Sequence, residues 1–347
     1  MKKYISVFVA ALMVMTACSK NELKVETASP VEMTLTATIG ADTKVSFVEE
    51  NNVLKTAWEA GDKVSVVALD ESYNVISNDV FTAQSAGNTT NFTGTFTNDA
   101  NTKYVRVFYP ALTEGEGTAE KNWYAPAPET YSGLGPLNEL VKGSFYMSYD
   151  VGYQLQKQDA DYSHLKHYIV LSGDAELQGM QGGNWNVVLN HRSYVLKCEI
   201  TFPAEAVGKT LKLLQIEVKD ETGALDVAVT GAGWTYTYAD ESFPGGRSNK
   251  YSLCFGDDVV SGSGTGMVLT DNVLTAYIVS HAGESYDPKV EQTRRYRLEA
   301  GDYMTFTATT TDGVNAFNYV LSKKSVTKET IFQNGKMYRL DATLVAE

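Results

Sequence analysis

The sequence is poor in the residues that enzymes most often use as nucleophiles, general bases and metal ligands. It has three cysteines and four histidines among 347 residues, and no G-x-S-x-G, H-E-x-x-H or glycine-rich phosphate motif accompanies them. Its longest apolar run, near the amino terminus, is shorter than the roughly 20 residues that a membrane-spanning helix needs. We therefore expect neither nucleophilic nor metal-dependent catalysis, no cofactor, and no transmembrane helix.

Basic residues are also in deficit, with 29 Lys and Arg against 42 Asp and Glu. Removal of residues 1–17, which contain Lys2 and Lys3, changes the net charge from -13 to 27 - 42 = -15. Such a surface repels phosphate backbones and anionic membrane faces. We expect no nucleic-acid partner. A glycosidase site made of two carboxylates stays an alternative, because the distance between such residues in space is not given by the sequence. No pair stands out among the 42 acidic residues.

The amino terminus has the pattern of an export signal that ends at a cysteine. Lys2 and Lys3 precede an apolar run over residues 4–15, and residues 15–18, MTAC, resemble the bacterial lipobox. The resemblance implies cleavage of a lipoprotein signal peptide, residues 1–17, and attachment of a diacylglycerol and an acyl chain such as palmitate at Cys18. Several chains on one residue anchor a protein stably, at about 0.8 kcal/mol per buried CH2. An ordinary signal peptide with a chance cysteine is the alternative.

Strand-like alternation begins after a tether at 18–30. In MTLTATI, residues 33–39, every second residue is apolar and the residues between them are threonines. Similar short runs with Asn, Gly or Asp between them fill most of the chain, which favours an antiparallel β-sandwich.

Two domains are expected, at 31–188 and at 189–347. The alternation fails at 110–165, where four of the eight prolines lie, and we interpret that segment as long loops of the first domain. A short echo, EAGD at 59–62 and again at 299–302, places a Gly-Asp turn before a strand in each half.

Several single residues are candidates for structural or binding roles. Cys198 and Cys254 alternate with apolar neighbours and are predicted to be buried single thiols, with a disulfide as the alternative. His164 and His167 precede a strand-like run, and a strand would put them on opposite faces. Trp123 and Tyr124, in the loop region, are candidate ligand contacts.

The final strand-like segment alternates as regularly as the first. Its apolar set occupies every second position and can bury one full face. The set is Tyr338, Leu340, Ala342 and Leu344.

Four segments together resemble the fimbrillins of Bacteroidales, the lipoprotein subunits of protease-processed surface pili, and their relatives. Besides the lipobox, they are TKVSFV with AWEAGDKVSVV, VVLNHRSYVLKCEITFP and GKMYRLDATL. The resemblance implies an all-β protein with two tandem transthyretin-like Greek-key sandwiches, held at the outer membrane by its lipid and exposed on the cell surface. It implies a structural or adhesive pilus component without enzymatic activity.

The resemblance also implies assembly by strand exchange with other pilus subunits. MTLTATI is then the strand that is removed, and the set Tyr338, Leu340, Ala342 and Leu344 lies on the candidate donor strand. A host or bacterial surface molecule is the expected adhesion ligand. The alternative is a glycan-binding surface lipoprotein that does not polymerise and that uses Trp123 and Tyr124.

One departure from the family pattern concerns processing. The major subunits are cut after arginine, but the first arginine here is Arg106, within the strand-like KYVRVFY. Either a protease cuts elsewhere, for example at Lys44 or Lys55, or the first strand stays and the protein is a tip or anchor subunit.

Overall fold

A computed structural model describes fifteen segments of the chain. They are residues 29–39, 48–50, 53–55, 57–71, 75–111, 113–114, 123–124, 144–147, 154–175, 184–223, 230–231, 234–237, 247–260, 262–280 and 297–347. The predicted signal peptide, Cys18 and the tether up to residue 28 lie outside them. Within these segments the regular structure is strand, apart from 3₁₀ turns at Ser163–His167 and Ala204–Ala206. The all-β prediction is confirmed, and no described helix is long and apolar enough to cross a membrane.

The strands of the amino-terminal half are numbered in chain order. They are β1 (Ser29–Ile39), β2 (Val48–Glu50), β3 (Val53–Lys55), β4 (Lys63–Leu69), β5 (Val75–Ala83), β6 (Thr89–Asn98), β7 (Tyr104–Tyr109), β8 (Thr113–Glu114), β9 (Trp123–Tyr124), β10 (Ser144–Met147), β11 (Gln154–Gln156), β12 (Leu171–Ala175) and β13 (Asn184–His191).

The strands of the carboxyl-terminal half continue the numbering. They are β14 (Tyr194–Thr201), β15 (Thr210–Lys219), β16 (Thr230–Gly231), β17 (Trp234–Thr237), β18 (Arg247–Ser248), β19 (Lys250–Phe255), β20 (Val259–Val260), β21 (Ser263–Gly264), β22 (Met267–Val268), β23 (Val273–Ser280), β24 (Arg297–Leu298), β25 (Tyr303–Thr311), β26 (Ala316–Ser325), β27 (Thr330–Ile331), β28 (Met337–Thr343) and β29 (Val345–Ala346).

The first lobe, as we call it, is a seven-stranded sheet that closes on itself in the order β1-β13-β12-β7-β4-β5-β6. All its neighbours are antiparallel except β1 and β13, which run parallel. Alternating apolar residues point inward, and Trp58, Phe92 and Tyr109 pack edge to face among them. Because every strand has two neighbours, this sheet has no free edge.

Two main sheets enclose the core of the second lobe, and the strands β16 and β18, β20 and β21, and β24 and β27 form three further two-stranded pairs. One has the order β23-β14-β28, and the other runs β11-β19-β15-β25-β26-β29, with β22 beside β15. The three-stranded sheet faces the second core with Leu196 and Ile278, whereas Val195, Tyr277 and Val279 on its other face belong to the first core. The two cores therefore share this sheet as a wall.

The carboxyl-terminal segment joins the two sheets of the second lobe. β28 pairs with β14 in the smaller sheet, and two residues later β29 pairs with β26 in the larger one. Leu344 lies at the crossing, 1% exposed, and its amide donates to the Thr201 carbonyl oxygen at 2.8 Å. One corner of the sandwich is thus closed by a single continuous segment.

Two expectations about local structure need correction. The His164 segment is a 3₁₀ turn rather than a strand, and the strand of that region begins only at Leu171. Within 110–165, which we expected to be long loops, the described residues also form short strands, β8 to β11. The most consequential is β11, because it lies before the predicted domain boundary yet pairs with β19 of the second lobe. The boundary between 188 and 189 itself stays a prediction.

Candidate functional site

The first strand of the described chain lies in a slot between β6 and β13. β1 pairs with β6 over residues 29–38 and with β13 over residues 34–39. At the centre of the slot, Thr34 faces Thr93 on one side and Asn184 on the other. Both backbone edges of β1 are therefore paired over residues 34–38, and residues 29–33 pair with β6 among the described strands.

The inward face of β1 contributes four side chains to the first core. Met33, Leu35, Ala37 and Ile39 are 7%, 0%, 0% and 4% exposed. The predicted alternation of MTLTATI is confirmed. A chain without β1 would have two unpaired strand edges above an apolar slot, and an incoming strand with the same alternation would satisfy both.

The strands that border the slot were not singled out by the sequence analysis. Phe92 and Phe96 on β6 and Trp185 on β13 are buried there, and the rings of Phe96 and Trp185 meet edge to face at 4.7 Å. The available signal was alternation in NFTGTFT and WNVVLNH, which identifies strands but not their neighbours.

The candidate donor strand, β28, is docked in its own chain. It pairs only with β14 among the described strands. Of its candidate contact residues, Tyr338 and Leu340 are partly buried on the second core, while Ala342 and Leu344 are 5% and 1% exposed. Donating this strand to another subunit would therefore open the second core.

Tyr338 anchors the start of this strand. Its ring meets Phe332 and Tyr194 edge to face, at 4.9 and 5.8 Å. Its hydroxyl donates to the Ile331 carbonyl oxygen at 3.1 Å and accepts from the Gln333 amide at 2.9 Å. Burial raises the pKa of the Tyr338 hydroxyl.

Trp123 and Tyr124 form β9, which pairs with β8 in a two-stranded hairpin. Their side chains lie outside the described part of the structure, so their role as ligand contacts stays a prediction. Cys18 lies outside it as well, and its lipidation stays a prediction too.

His164 and His191 have structural surroundings, and the side chain of His167 lies outside the described part of the structure. The His164 ring lies 2.9 Å, through Nε2, from the Tyr277 carbonyl oxygen. His191 ends β13, and burial lowers its pKa to about 3, so its imidazole is neutral at physiological pH. In the described part of the chain, no three His, Cys, Asp or Glu side chains are grouped as metal ligands.

Cys198 and Cys254 are both free and buried, as the sequence predicted. Cys198 belongs to the second core, whereas Cys254 packs with Leu155 and Val259 in a small separate cluster. Burial raises the pKa of each thiol to about 12. At neutral pH both are therefore protonated and unreactive.

The chain was compared with known proteins. No family model and no curated protein matches it. It is similar to the solved structure of a provisionally named cell adhesion protein from Bacteroides uniformis, with 14% identity, a TM-score of 0.37, and coverage of 91% of this chain and 96% of that one.

Two further similar structures have fimbrial names. One is a fimbrial protein from Bacteroides ovatus, with 12% identity, a TM-score of 0.32, and coverage of 92% of this chain and 51% of that one. The other is the fimbrial anchor protein Mfa2 from Porphyromonas gingivalis, with 10% identity, a TM-score of 0.31, and coverage of 80% and 78%. They are adhesion and fimbrial proteins of Bacteroidales, the kind that the sequence motifs predicted.

Proposed function

We propose that this protein is a surface lipoprotein that serves as a structural or adhesive subunit of a pilus assembled by strand exchange. The observation that carries the proposal is β1, the first described strand, which fills an apolar slot and pairs with neighbours on both edges over residues 34–38. Its removal would create a binding site whose only complementary ligand is another alternating strand.

The proposal includes the finer features that the family resemblance implies. These are two tandem transthyretin-like Greek-key sandwiches, a lipid at Cys18 that holds the protein at the outer membrane, and an absence of enzymatic activity. Support for the fold comes from the similar placement of β1 and β14, each of which lies between one antiparallel and one parallel neighbour; the parallel neighbours are β13 and β28. Labelled palmitate should enter the wild type and not Cys18→Ala, whereas labelling of that variant would contradict lipidation.

Processing after Lys44 or Lys55 would separate β1 from the rest of the first lobe, since both lysines follow the strand. The cut alone does not release β1, because its ladders and buried side chains still hold it. Release and replacement by a neighbour's strand should therefore be separable from cleavage.

The decisive experiment uses Thr34→Cys/Thr93→Cys, because these two residues face each other across β1 and β6. The mature chain with this pair is cut by a lysine-specific protease, once oxidised and once reduced. We expect heat-sensitive high-mass ladders in the reduced sample and cleaved monomers in the oxidised one. Monomers in both samples, with β1 shown by mass spectrometry to have left, would rule out assembly through this slot.

A further inference from the structure

The outer edge of β23 is covered by side chains instead of a strand. β23 pairs with β14 on one side, and on the other side the peptide groups of Thr275, Tyr277 and Val279 point away from β14. In the described structure these groups meet residues 154–164, which precede the predicted second domain. A buried peptide group without a partner costs free energy, so each contact along this edge matters.

Two buried glutamines supply most of the contacts. The Gln154 amide accepts from the Val279 N–H at 2.8 Å and donates to the Val279 carbonyl oxygen at 2.5 Å. The Gln156 amide accepts from the Tyr277 N–H at 3.0 Å and donates to the Thr275 carbonyl oxygen at 2.9 Å. A primary amide offers a donor and an acceptor side by side, and at both positions it takes the place of a neighbouring strand's peptide group.

The backbone of the same residues belongs to the opposite sheet. Gln154, Leu155 and Gln156 form β11, which runs parallel to β19, and Leu155 is buried against Cys254 and Val259. One short segment therefore pairs with one sheet through its backbone and with the other through its side chains, closing the sandwich on the side opposite the Leu344 corner.

The chain beyond β11 is held in a constrained conformation by the same edge. The Asp159 carboxylate accepts from the Thr275 N–H at 2.7 Å, and the Ala160 N–H donates to the Thr275 carbonyl oxygen at 3.0 Å. Ala160 has a φ of 54°, a left-handed conformation that is unfavourable for a residue with a side chain. Such strain persists where surrounding contacts determine it, and here they are the contacts to β23 together with the turn hydrogen bond from the Asp161 N–H to the Gln158 carbonyl oxygen at 3.2 Å.

We propose that the cleft between β19 and β23 is a second strand-accepting site, which residues 154–160 occupy within the chain. The ligand that it recognises is a short extended segment with glutamines at alternate positions, followed by a turn that supplies the Asp159 carboxylate and the Ala160 N–H. An arbitrary strand would pair with β19 but leave the edge of β23 unsatisfied. The inference is independent of the proposed pilus function, because it concerns a cleft of the second lobe and not the β1 slot.

The test uses the full mature chain with Gln154→Ala/Gln156→Ala. Amide hydrogen exchange at Tyr277 and Val279 should become about 5- to 150-fold faster, as expected for a lost buried hydrogen bond. A peptide of residues 152–161, GYQLQKQDAD, should restore slow exchange, and GYALAKQDAD should not. Gln158→Ala is the matched control, because the Gln158 side chain is exposed in the same segment. In this variant, exchange at Tyr277 and Val279 should equal that of the wild type.

Three results would overturn the proposal. The double variant could exchange at the wild-type rates, neither peptide could restore slow exchange, or both peptides could restore it equally. If the double variant does not fold, Gln154→Ala alone keeps every Gln156 contact. Its exchange should then rise at Val279 and not at Tyr277, and a uniform rise at both would count against the cleft.

Discussion

The two lobes hold their first strands in the same way but connect them differently. β1 lies between antiparallel β6 and parallel β13, and β14 lies between antiparallel β23 and parallel β28. However, β14 follows β13 after only two residues, 192 and 193, whereas all the other described strands of the first lobe come after β1 in the chain. One cut therefore separates β1 from its lobe, while freeing β14 would take two. Under the proposed function, the β1 slot becomes exchangeable after one cut, whereas the equivalent position of β14 does not.

The lobes also differ in how they end their sheets. The first closes its ring of strands and has no edge to protect. The second leaves β23 at an edge and covers it with Gln154 and Gln156. The hydrogen bonds that close the ring of the first lobe join backbone groups, which every residue has. The hydrogen bonds that cover β23 come from two glutamine side chains and are lost if those residues are replaced. The second lobe is therefore more sensitive to single polar substitutions.

The largest effects should come from truncating one buried leucine on each first strand. Leu35 and Leu196 are 0% and 1% exposed, so we expect Leu35→Ala and Leu196→Ala each to lower the free energy of unfolding by about 2–5 kcal/mol. Chemical denaturation of the uncut chain measures both. After β1 has left its subunit and a neighbour's strand has replaced it, Leu35→Ala should no longer lower the free energy of unfolding of that subunit. A persistent loss of stability would contradict the comparison.

Acid should destabilise the first lobe before the second. Burial lowers the pKa of His191 to about 3, so below its ordinary value of about 6.5 the unfolded chain binds a proton that the folded chain does not. The contribution of neutral His191 to the free energy of unfolding is therefore complete above pH 6.5 and falls as the pH decreases. The loss should be about 2 kcal/mol between pH 7 and 5.

The fluorescence of Trp58 and Trp185, both in the first core, follows this transition in urea. His191→Gln should flatten the dependence on pH. An unchanged slope in that variant would assign the acid sensitivity to another group.

The two EAGD turns should both be destabilised by one substitution, and Gly301→Ala should cost more than Gly61→Ala. In each turn, the aspartate carboxylate accepts from the glutamate amide, at 2.8 Å for Asp62 and 2.7 Å for Asp302. Gly61 and Gly301 have φ values of 91° and 104°, so the backbone strain of Gly→Ala should cost about 1–2 kcal/mol at either. An added Cβ at Gly301 would also lie 3.2 Å from the Glu221 carboxylate, whereas at Gly61 it would meet nothing within 4 Å. Thermal unfolding of the two variants measures this, and a larger effect at Gly61 would contradict it.

The smallest effect should be a gain. Ala160→Gly removes the strain of a left-handed alanine but gives the unfolded chain the extra freedom of glycine. Because the strain is the larger of the two, the free energy of unfolding should rise by a net amount of about 0.5–1 kcal/mol. Denaturant midpoints measure it against Ala111→Gly, a control outside regular structure. A loss of stability would mean that the Ala160 side chain contributes packing.

Sequence reasoning succeeded where one residue pattern determines one structure. The alternation in MTLTATI identified the buried face of β1, and the EAGD echo marked two turns with the same hydrogen bonds. Burial of Cys198 and Cys254 also followed from their apolar neighbours.

The parts that were missed depend on contacts between distant residues. β11 has three residues, too few to show a period, and its glutamines are of a type usually found in solvent. Their burial is explained only by the edge of β23, more than a hundred residues later. Closure of the first lobe likewise depends on pairing β1 with β13, and alternation does not reveal that partner.

The parallel pairing of β1 with β13 also determines how the first lobe bears mechanical load. Ser29 begins β1 and His191 ends β13, so these two points lie at opposite ends of the shared ladder. A force that pulls them apart acts along the strands and stretches all their pairs together, in shear, instead of peeling them one after another. A subunit tethered at its amino end and loaded through its second lobe would be pulled in the direction in which this ladder resists most.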